Sequence, residues 1–253
     1  MATTAERDPG RGHEEPSDPR PEHHRNIQGG AIRAAVFGVS DGLLTNVSLI
    51  LGVAGASTTS GLVRLAGVAG LVAGAISMAA GEYISMTAQT ELIRRELAVE
   101  REELRRNPEY ERRELVAVYT GRGVPQETAE QFVEALMRDP EVALQVHSRE
   151  ELGVDPNRTG SPLRAGVSSF FSFAVGAVIP LIPWFFAGGW GSVLVSVVLG
   201  AVAALAIGAA LGYFSERSIA RAAVRQLLIT AVAAAITFGI GRLVGVGVAT
   251  VAG

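Results

Sequence analysis

Residues 165–215 read AGVSSFFSFAVGAVIPLIPWFFAGGWGSVLVSVVLGAVAALAIGAALGYFS, without a single Asp, Glu, Lys, Arg or His. A helix crosses the hydrocarbon core of a bilayer with about 20 apolar residues, so this run is long enough for two crossings. The whole chain of 253 residues is only 19% charged and has a mean hydropathy of +0.30. Soluble domains are about 25% charged. The sequence therefore predicts an all-α membrane protein.

Apolar windows of spanning length in the whole chain predict five transmembrane helices. They lie at about residues 34–56, 62–90, 164–187, 190–214 and 222–250. Small residues at four-residue spacing let helix backbones approach closely in lipid, so tight bundling or dimerisation is expected. The pairs are Gly38/Gly42, Gly70/Gly74, Gly208/Gly212 and Gly241/Gly245. Pro180 and Pro183 either kink the third span or mark its end.

The charged residues are concentrated between the second and third spans. Residues 91–164 hold 28 of them, 16 acidic and 12 basic, and predict a water-facing helical domain at 91–163. The second span continues without a helix breaker to Arg106, so it should project well beyond the bilayer. Asn107-Pro108, Pro125 and Pro140 start three further helices. The expected core of this domain comprises Leu97, Leu104, Leu115, Val118, Phe132, Val133 and Leu136.

Arginine placement predicts an orientation, because positive residues in short flanks stay in the cytoplasm. Arginines precede the first span and lie between the fourth and fifth spans. The opposite side of the membrane carries none except Arg64, at the start of the second span. The flanking residues are Arg20, Arg25, Arg33, Arg217, Arg221 and Arg225. We expect the N-terminus and the charged domain in the cytoplasm. Residues 1–30 are polar and predict a disordered tail, whose His13, His23 and His24 are more typical of a solvated segment than of a metal site.

Acidic residues and the one histidine of the charged domain recur at helical spacing. Three helix faces result. Glu96, Glu100 and Glu103 share the first at i, i+4, i+7. Glu111 and Glu114 share the second at i, i+3, and His147 and Glu151 share the third at i, i+4. Carboxylates and an imidazole converging from several helices bind divalent iron or manganese. The alternative is a set of solvated faces that pair with arginines.

Ionisable residues inside apolar spans are costly and usually functional. Asp41 lies in the first span, and Met78, Glu82 and Met86 share one face of the second at i, i+4, i+8. A carboxylate between thioethers suits a soft-to-intermediate cation, and the acid can exchange that ion for a proton. Methionine is otherwise a packing residue. Arg242, in the fifth span, is either a counter-ion or, as we favour, a side chain that extends to the membrane surface.

Three stretches carry a resemblance to a known family: AVFGVSDGLLTNVSL at 35–49, AGAISMAAGEYISM at 73–86 and SFFSFAVGAVIPLIP at 169–183. With them the chain resembles the vacuolar iron transporter family, in its bacterial form, from about residue 25 to the C-terminus. The resemblance implies a homodimer with its ion path at the subunit interface, and export of Fe2+, often with Mn2+, in exchange for protons. The implied parts are a tail (1–30), spans one and two (31–90), a cytoplasmic metal-binding domain (91–163) and spans three to five (164–253).

Position by position, the resemblance implies a transport pathway through Asp41, Met78 and Glu82, to which the helical spacing adds Met86. The implied metal ligands are Glu100 with Glu103, Glu111 with Glu114, and Glu151. Glu96 is not among them. Eukaryotic members have a methionine pair before the last glutamate, where this chain has His147 and Ser148. We expect the His147 imidazole to substitute for a thioether and to change the metal preference.

These expectations describe a metal/proton antiporter of the bacterial inner membrane, not an enzyme, with Fe2+ or Mn2+ as substrate and no tightly bound cofactor. Its partners are lipid and a second copy, and no nucleic acid. The alternatives are a membrane-anchored metal-binding or ferroxidase-like protein and a passive cation channel. The ferroxidase alternative lacks the two Glu-x-x-His motifs of a di-iron site. Absence of cysteine excludes disulfides, thiolate metal sites and cysteine nucleophiles.

Overall fold

The computed structural model describes residues 30–155, 160–215 and 218–251, with side chains from 35 to 245 within those ranges. All regular structure in this part of the chain is helical, as the sequence predicts. The elements are α1 Gly30–Ala56, α2 Ser60–Arg106, α3 Pro108–Gly121, α4 Gln126–Met137, α5 Pro140–Glu150, α6 Pro162–Val178, a 3-10 helix Ile179–Phe185, α7 Gly189–Phe214 and α8 Ile219–Val251. The predicted N-terminal tail with its three histidines lies outside the described residues, as do Arg20, Arg25, Arg217 and the side chain of Arg33.

Five helices of the described chain are long and apolar enough to cross a membrane, which confirms the predicted spans. They are α1, α2, α6 with the 3-10 helix, α7 and α8. The α2 helix is unbroken over 47 residues. At 1.5 Å per residue it is about 70 Å long, more than twice the hydrocarbon thickness. Its second half therefore extends into water and carries the charged residues, as expected.

The α1 helix lies at the centre of the bundle and contacts α2, α6, α7 and α8. Glycines allow its backbone to touch two of these helices directly. A Cβ atom on Gly42 would collide with the Phe173 carbonyl of α6, and one on Gly241 of α8 would collide with the Gly52 carbonyl of α1. Backbone contact of this kind maximises dispersion between helices, which matters in lipid because apolar burial gives little drive there.

The other predicted glycine pairs also pack closely against neighbouring helices, but one pair faces side chains instead of a backbone. Gly70 and Gly74 of α2 face side chains, those of Leu49 and Phe173, rather than a neighbouring backbone. These glycines provide room for a large apolar group between α1, α2 and α6. Phe173 is 2% exposed and packs with Ala75 and Ala177 in this layer.

The two prolines of the third span end its α-helix and begin the 3-10 segment. In a 3-10 helix the amide of residue i+3 donates to the carbonyl of residue i, and proline has no amide hydrogen. Pro180 and Pro183 thus remove donors to the carbonyls of Ala177 and Pro180. Neighbouring side chains supply replacements. Asn46 Nδ2 lies 2.5 Å from the Ala177 oxygen, and Ser196 Oγ donates to the Pro180 oxygen over 2.7 Å.

The charged segment between α2 and α6 has a small core of its own. Its α5 helix begins at Asp139, whose carboxylate accepts hydrogen bonds from the amides of Glu141 and Val142. The fully or nearly buried apolar residues are Leu115, Ala129, Val133, Ala143 and Leu144. The prediction that Phe132 belongs to this core is wrong. Phe132 is 49% exposed because α4 turns Val133 inward, and its ring instead packs edge-on against Tyr119 at 5.3 Å.

Adding one methyl group at Gly42 tests whether the α1 and α6 backbones are in direct contact. Gly42→Ala should lower stability by about 1–3 kcal/mol or more, because the added Cβ must push two backbones apart. Gly239→Ala is the control, since the position of its Cβ is open space. It should leave stability within about 1 kcal/mol. Melting temperatures of both variants in the same detergent check this, and equal melting temperatures would contradict the packing described.

Candidate metal centre

Four side chains from α2, α3 and the end of α5 meet near the far end of α2, which is Arg106. They are Glu100, Glu111, His147 and Glu151, and they form what we call the carboxylate–histidine cluster. The helices deliver them through local sequence signals. Pro108 starts α3 three residues before Glu111, and Asp139-Pro140 starts α5 so that His147 and Glu151 lie one turn apart on the side facing α2.

His147 lies in the middle of the cluster, and its Nδ1 atom faces three carboxylates. The distances are 3.1 Å to Glu151 Oε1, 3.3 Å to Glu100 Oε1 and 3.6 Å to Glu111 Oε2. Three members are buried, with side-chain exposures of 0% for His147, 6% for Glu100 and 5% for Glu111. The side chain of Glu151 is 24% exposed, so this residue forms the side of the cluster that is open to water.

Burial and mutual repulsion make it unfavourable for the carboxylates of the cluster to be ionised together. Burial raises the pKa of Glu100 to about 7, and repulsion from Glu151 and Glu111 adds to this effect. The pKa of Glu111 is raised by burial as well, with a partly opposing contribution from His147. Buried carboxylates of like charge disfavour full ionisation, so a proton or a metal ion is needed to neutralise them.

The donor set fits one divalent ion of intermediate hardness. All four ligand atoms lie within 4.8 Å of one another. Metal–ligand bonds of about 2.1 Å place opposite ligands about 4.2 Å apart, so shifts of a few tenths of an ångström would close the site. Glu100 Oε1 is buried without a hydrogen-bond partner in the described chain, which leaves it available to a cation. Carboxylate oxygen with imidazole nitrogen suits Fe2+, Mn2+ or Zn2+ better than Ca2+ or Mg2+.

The structure does not bring all predicted ligands into this centre. Glu103 is exposed and Glu114 is half-buried, and neither is among the four convergent groups. Both lie close enough for their charges to raise the pKa of Glu100. Glu96, which the spacing alone grouped with Glu100, is half-buried and also outside the cluster. Glu103 and Glu114 therefore add negative potential around the entrance rather than direct ligands in this conformation.

The two acidic residues predicted inside the spans are half-buried and have no side-chain partner among the described residues. Within the described chain, neither Asp41 nor Glu82 forms a hydrogen bond or ion pair with another side chain. Met78 packs against the buried layer around Phe173, and Met86 is half-buried one turn beyond Glu82. Arg242 is exposed and has no acidic partner among the described residues, which favours an end-of-helix position over a counter-ion role.

Sequence reasoning missed the polar contact beside Asp41. Gln226 of α8 is 8% exposed, and its side-chain amide nitrogen, Nε2, donates to Ser40 Oγ over 2.8 Å. This hydrogen bond joins α8 to α1 at the residue before Asp41. The signal was present in the sequence, since an amide in an apolar span needs a partner. Only the fold identifies Ser40 as that partner.

The chain is similar in sequence to known proteins over most of its length. The family model described as "VIT family" matches residues 32–242. "Vacuolar iron transporter 1" of Eucalyptus grandis is 33% identical over 217 residues, covering 85% of this chain and 87% of that protein. "Vacuolar iron transporter" of Acanthamoeba castellanii is 36% identical, covering 88% and 82%. "Vacuolar iron transporter 1" of Oryza sativa subsp. japonica is 32% identical, covering 88% and 89%.

The strained carboxylates predict an unusual pH dependence of stability for the metal-free protein. A carboxyl whose pKa is higher in the folded state binds its proton more tightly when folded. The stability due to Glu100 is therefore fully present below its unfolded pKa of about 4.5 and is lost as pH rises through about 7. Melting temperature in chelator-containing detergent should fall over this window.

Glu100→Gln should flatten that fall, because an amide has no proton to lose. Glu96→Gln, one helical turn earlier on α2 and outside the cluster, is the matched control and should keep the slope of the unmodified protein. An equal slope in the Glu100→Gln protein would show that the buried carboxyl is not the group that titrates.

Proposed function

The chain belongs to the VIT family, and from that premise we propose that it exports a divalent metal ion, Fe2+ and also Mn2+, from the cytoplasm in exchange for protons. The curated relatives are named as iron transporters, and the family's members are transporters rather than enzymes. The observation that carries the proposal for this chain is the carboxylate–histidine cluster, because it combines buried negative charge with a donor set for such an ion.

The cluster is the collecting site in this proposal. Exposed Glu103 and half-buried Glu114 attract cations to its entrance, and the four cluster residues bind one ion. The ion is substrate here, so it must also leave. Glu100 has a pKa of about 7, close to the pH of a cytoplasm, so protons compete effectively with the ion for this ligand. Competition of this kind keeps binding reversible.

The route across the membrane continues along α2 to Glu82 and Met78 and reaches Asp41 on α1. Support comes from the partial burial of Asp41 and Glu82 and from the lack of a side-chain partner for either acid in the described chain. Half-buried acids at bilayer depth without a side-chain partner are costly unless a cation or a proton occupies them. Thioethers beside the carboxylate favour Fe2+ over a hard ion such as Mg2+. Exchange of metal for proton at the same carboxylates would couple the two fluxes.

A second copy of the chain completes the route in this proposal. The α2 helix presents Ala69, Ala73, Ser77 and Ala80 on its exposed side. Bulky exposed residues such as Leu65 and Ile76 flank this row on α2, and the exposed side of α8 carries Ile236 and Ile240. Small side chains let two helices approach closely in lipid, so the row of small residues on α2 is the contact that we propose between two copies.

We further propose a bacterial inner-membrane location with the N-terminus in the cytoplasm. The support is the distribution of positive charge. With five crossings, the junction of α7 and α8, which carries Arg221 and Arg225, lies on the same side as the charged segment. The named relatives are vacuolar transporters, and export from the cytoplasm is the direction shared by both locations.

Transport should depend on Asp41 more than on the acidic entrance to the collecting site. Asp41→Ala should abolish Fe2+ flux in proteoliposomes, because the ion loses an intramembrane ligand, whereas Glu103→Ala should mainly weaken it. Thr45→Ala, one turn along α1, is the control and should transport normally. Full Fe2+ flux in the Asp41→Ala protein would remove Asp41 from the pathway.

A pH dye inside the same vesicles tests proton coupling. An antiporter changes the internal pH when metal moves, a passive channel moves metal alone, and an anchored binding protein moves neither ion. Metal flux without a metal-dependent pH change would contradict the exchange mechanism while leaving metal transport in place.

Binding at the cluster can be measured separately from transport. Glu100→Gln should weaken Mn2+ binding to the purified protein by at least about ten- to hundredfold, the range lost even when an outer-shell partner of a metal is removed. Glu96→Gln should bind as the unmodified protein does. Titration calorimetry or Mn2+ electron paramagnetic resonance gives the comparison, and equal affinities would show that the cluster is not the binding site.

A further inference from the structure

A cleft of about 990 Å³ opens where α7 ends and α8 begins. Five crossings place this junction on the same side of the membrane as the charged segment, at the level where lipid headgroups lie. The backbones of the two helices meet at its base. A Cβ atom on Gly208 would lie 2.6 Å from the Ala223 Cα atom, and one on Gly212 would lie 2.8 Å from the Ile219 Cα atom.

The cleft has an apolar and a polar part. Its apolar lining includes Leu211, Val224, Leu228 and Ile229, and the last three are about half exposed on the outer side of α8. These side chains continue directly into the lipid-facing surface of the helix. The apolar part is therefore open to the acyl-chain region rather than to water.

The polar part carries positive charge that nothing in the described chain neutralises. Arg221 and Arg225 are exposed, lie one turn apart on α8 and form no ion pair with a described residue. The sequence of α8 contains no Asp or Glu. Ser215 and Ser218 add hydroxyl groups. At the start of α8 the Arg221 amide donates to Ser218 Oγ over 3.5 Å and the Ala222 amide to the Ser218 carbonyl over 3.1 Å, so the positive charge of the cleft comes mainly from the two arginines.

We propose that this cleft binds an anionic glycerophospholipid of the leaflet next to the charged segment. The Arg221 and Arg225 guanidinium groups hold the phosphate, since this fork of donors matches phosphate oxygens. One acyl chain follows Leu228 and Ile229 along α8. A basic recess beside an apolar surface at headgroup depth is complementary to such a lipid in both charge and polarity. This inference needs only the membrane location of the chain and does not depend on the transported ion.

The competing interpretation is that the two arginines merely extend to the headgroup region. In that case any lipid satisfies them equally, and no stoichiometric binding follows. A specific site requires a preference for anionic over zwitterionic lipid that survives purification and depends on both arginines.

Native mass spectrometry of the purified full chain in detergent provides the test. With equal amounts of a phosphatidylglycerol and a phosphatidylcholine added, we expect about tenfold or greater preference for phosphatidylglycerol. Arg221→Gln/Arg225→Gln should reduce the preference to near unity, and Arg221→Lys/Arg225→Lys should keep most of it. Arg64→Gln, at the opposite end of the bundle, is the matched control and should behave as the unmodified chain.

The unmodified protein supplies a second measurement that no folding defect affects. A photoactivatable phosphatidylglycerol should cross-link mainly to residues 211–229. Cross-links elsewhere, an unmodified chain that shows no lipid preference, or a double glutamine variant that retains the preference would each overturn the proposal. Displacement of the lipid by inorganic phosphate would identify a free-anion site and would overturn the lipid assignment.

Discussion

Backbone contact of α1 with α6 and α8 is the constraint on which the rest of the bundle depends. In lipid, helices gain little from burying apolar side chains, so the depth of approach decides how strongly they associate. Gly42 and Gly241 bring carbonyls of neighbouring helices to positions that a methyl group would occupy. This approach places α1 between the other spans. Asp41 follows directly, because it precedes Gly42 and is held at the same contact.

The bundle also repairs the backbone defects that its prolines create. Pro180 and Pro183 remove two amide donors where the third span changes from α-helix to 3-10 helix, and Asn46 and Ser196 donate to the freed carbonyls. Water is not at hand at that depth, so each replacement has to come from a neighbouring helix. Gln226 and Ser40 satisfy each other in the same way. Asp41 and Glu82 differ from these groups, because neither has a side-chain partner among the described residues.

The long α2 helix connects the membrane-spanning bundle, where it carries Glu82, to the carboxylate–histidine cluster, where it carries Glu100. At its far end, buried Glu100 and Glu111 meet His147 and Glu151, and the pKa of Glu100 rises to about 7 through burial and mutual repulsion. An apolar core of the same volume would be more stable, since buried charge stabilises a fold only when it is well compensated. Retaining such a cluster is understandable if a divalent ion neutralises it. The continuous α2 helix places Glu100 on the same face as Glu82, which lies 18 residues or about five turns earlier.

The five spans, the unbroken α2 and the three short helices could all be predicted from the amino-acid sequence, because apolar length, helix propensity and proline positions act locally along the chain. The sequence also singled out every member of the cluster, since spacing shows which residues share a helix face. Only the tertiary structure decided that Glu111 and His147 meet Glu100 while Glu103, Glu114 and Glu96 stay outside. Spacing fixes the face of a helix but not its rotation against a neighbour, which depends on how Leu115, Val133 and Leu144 pack. The exposure of Phe132 has the same cause.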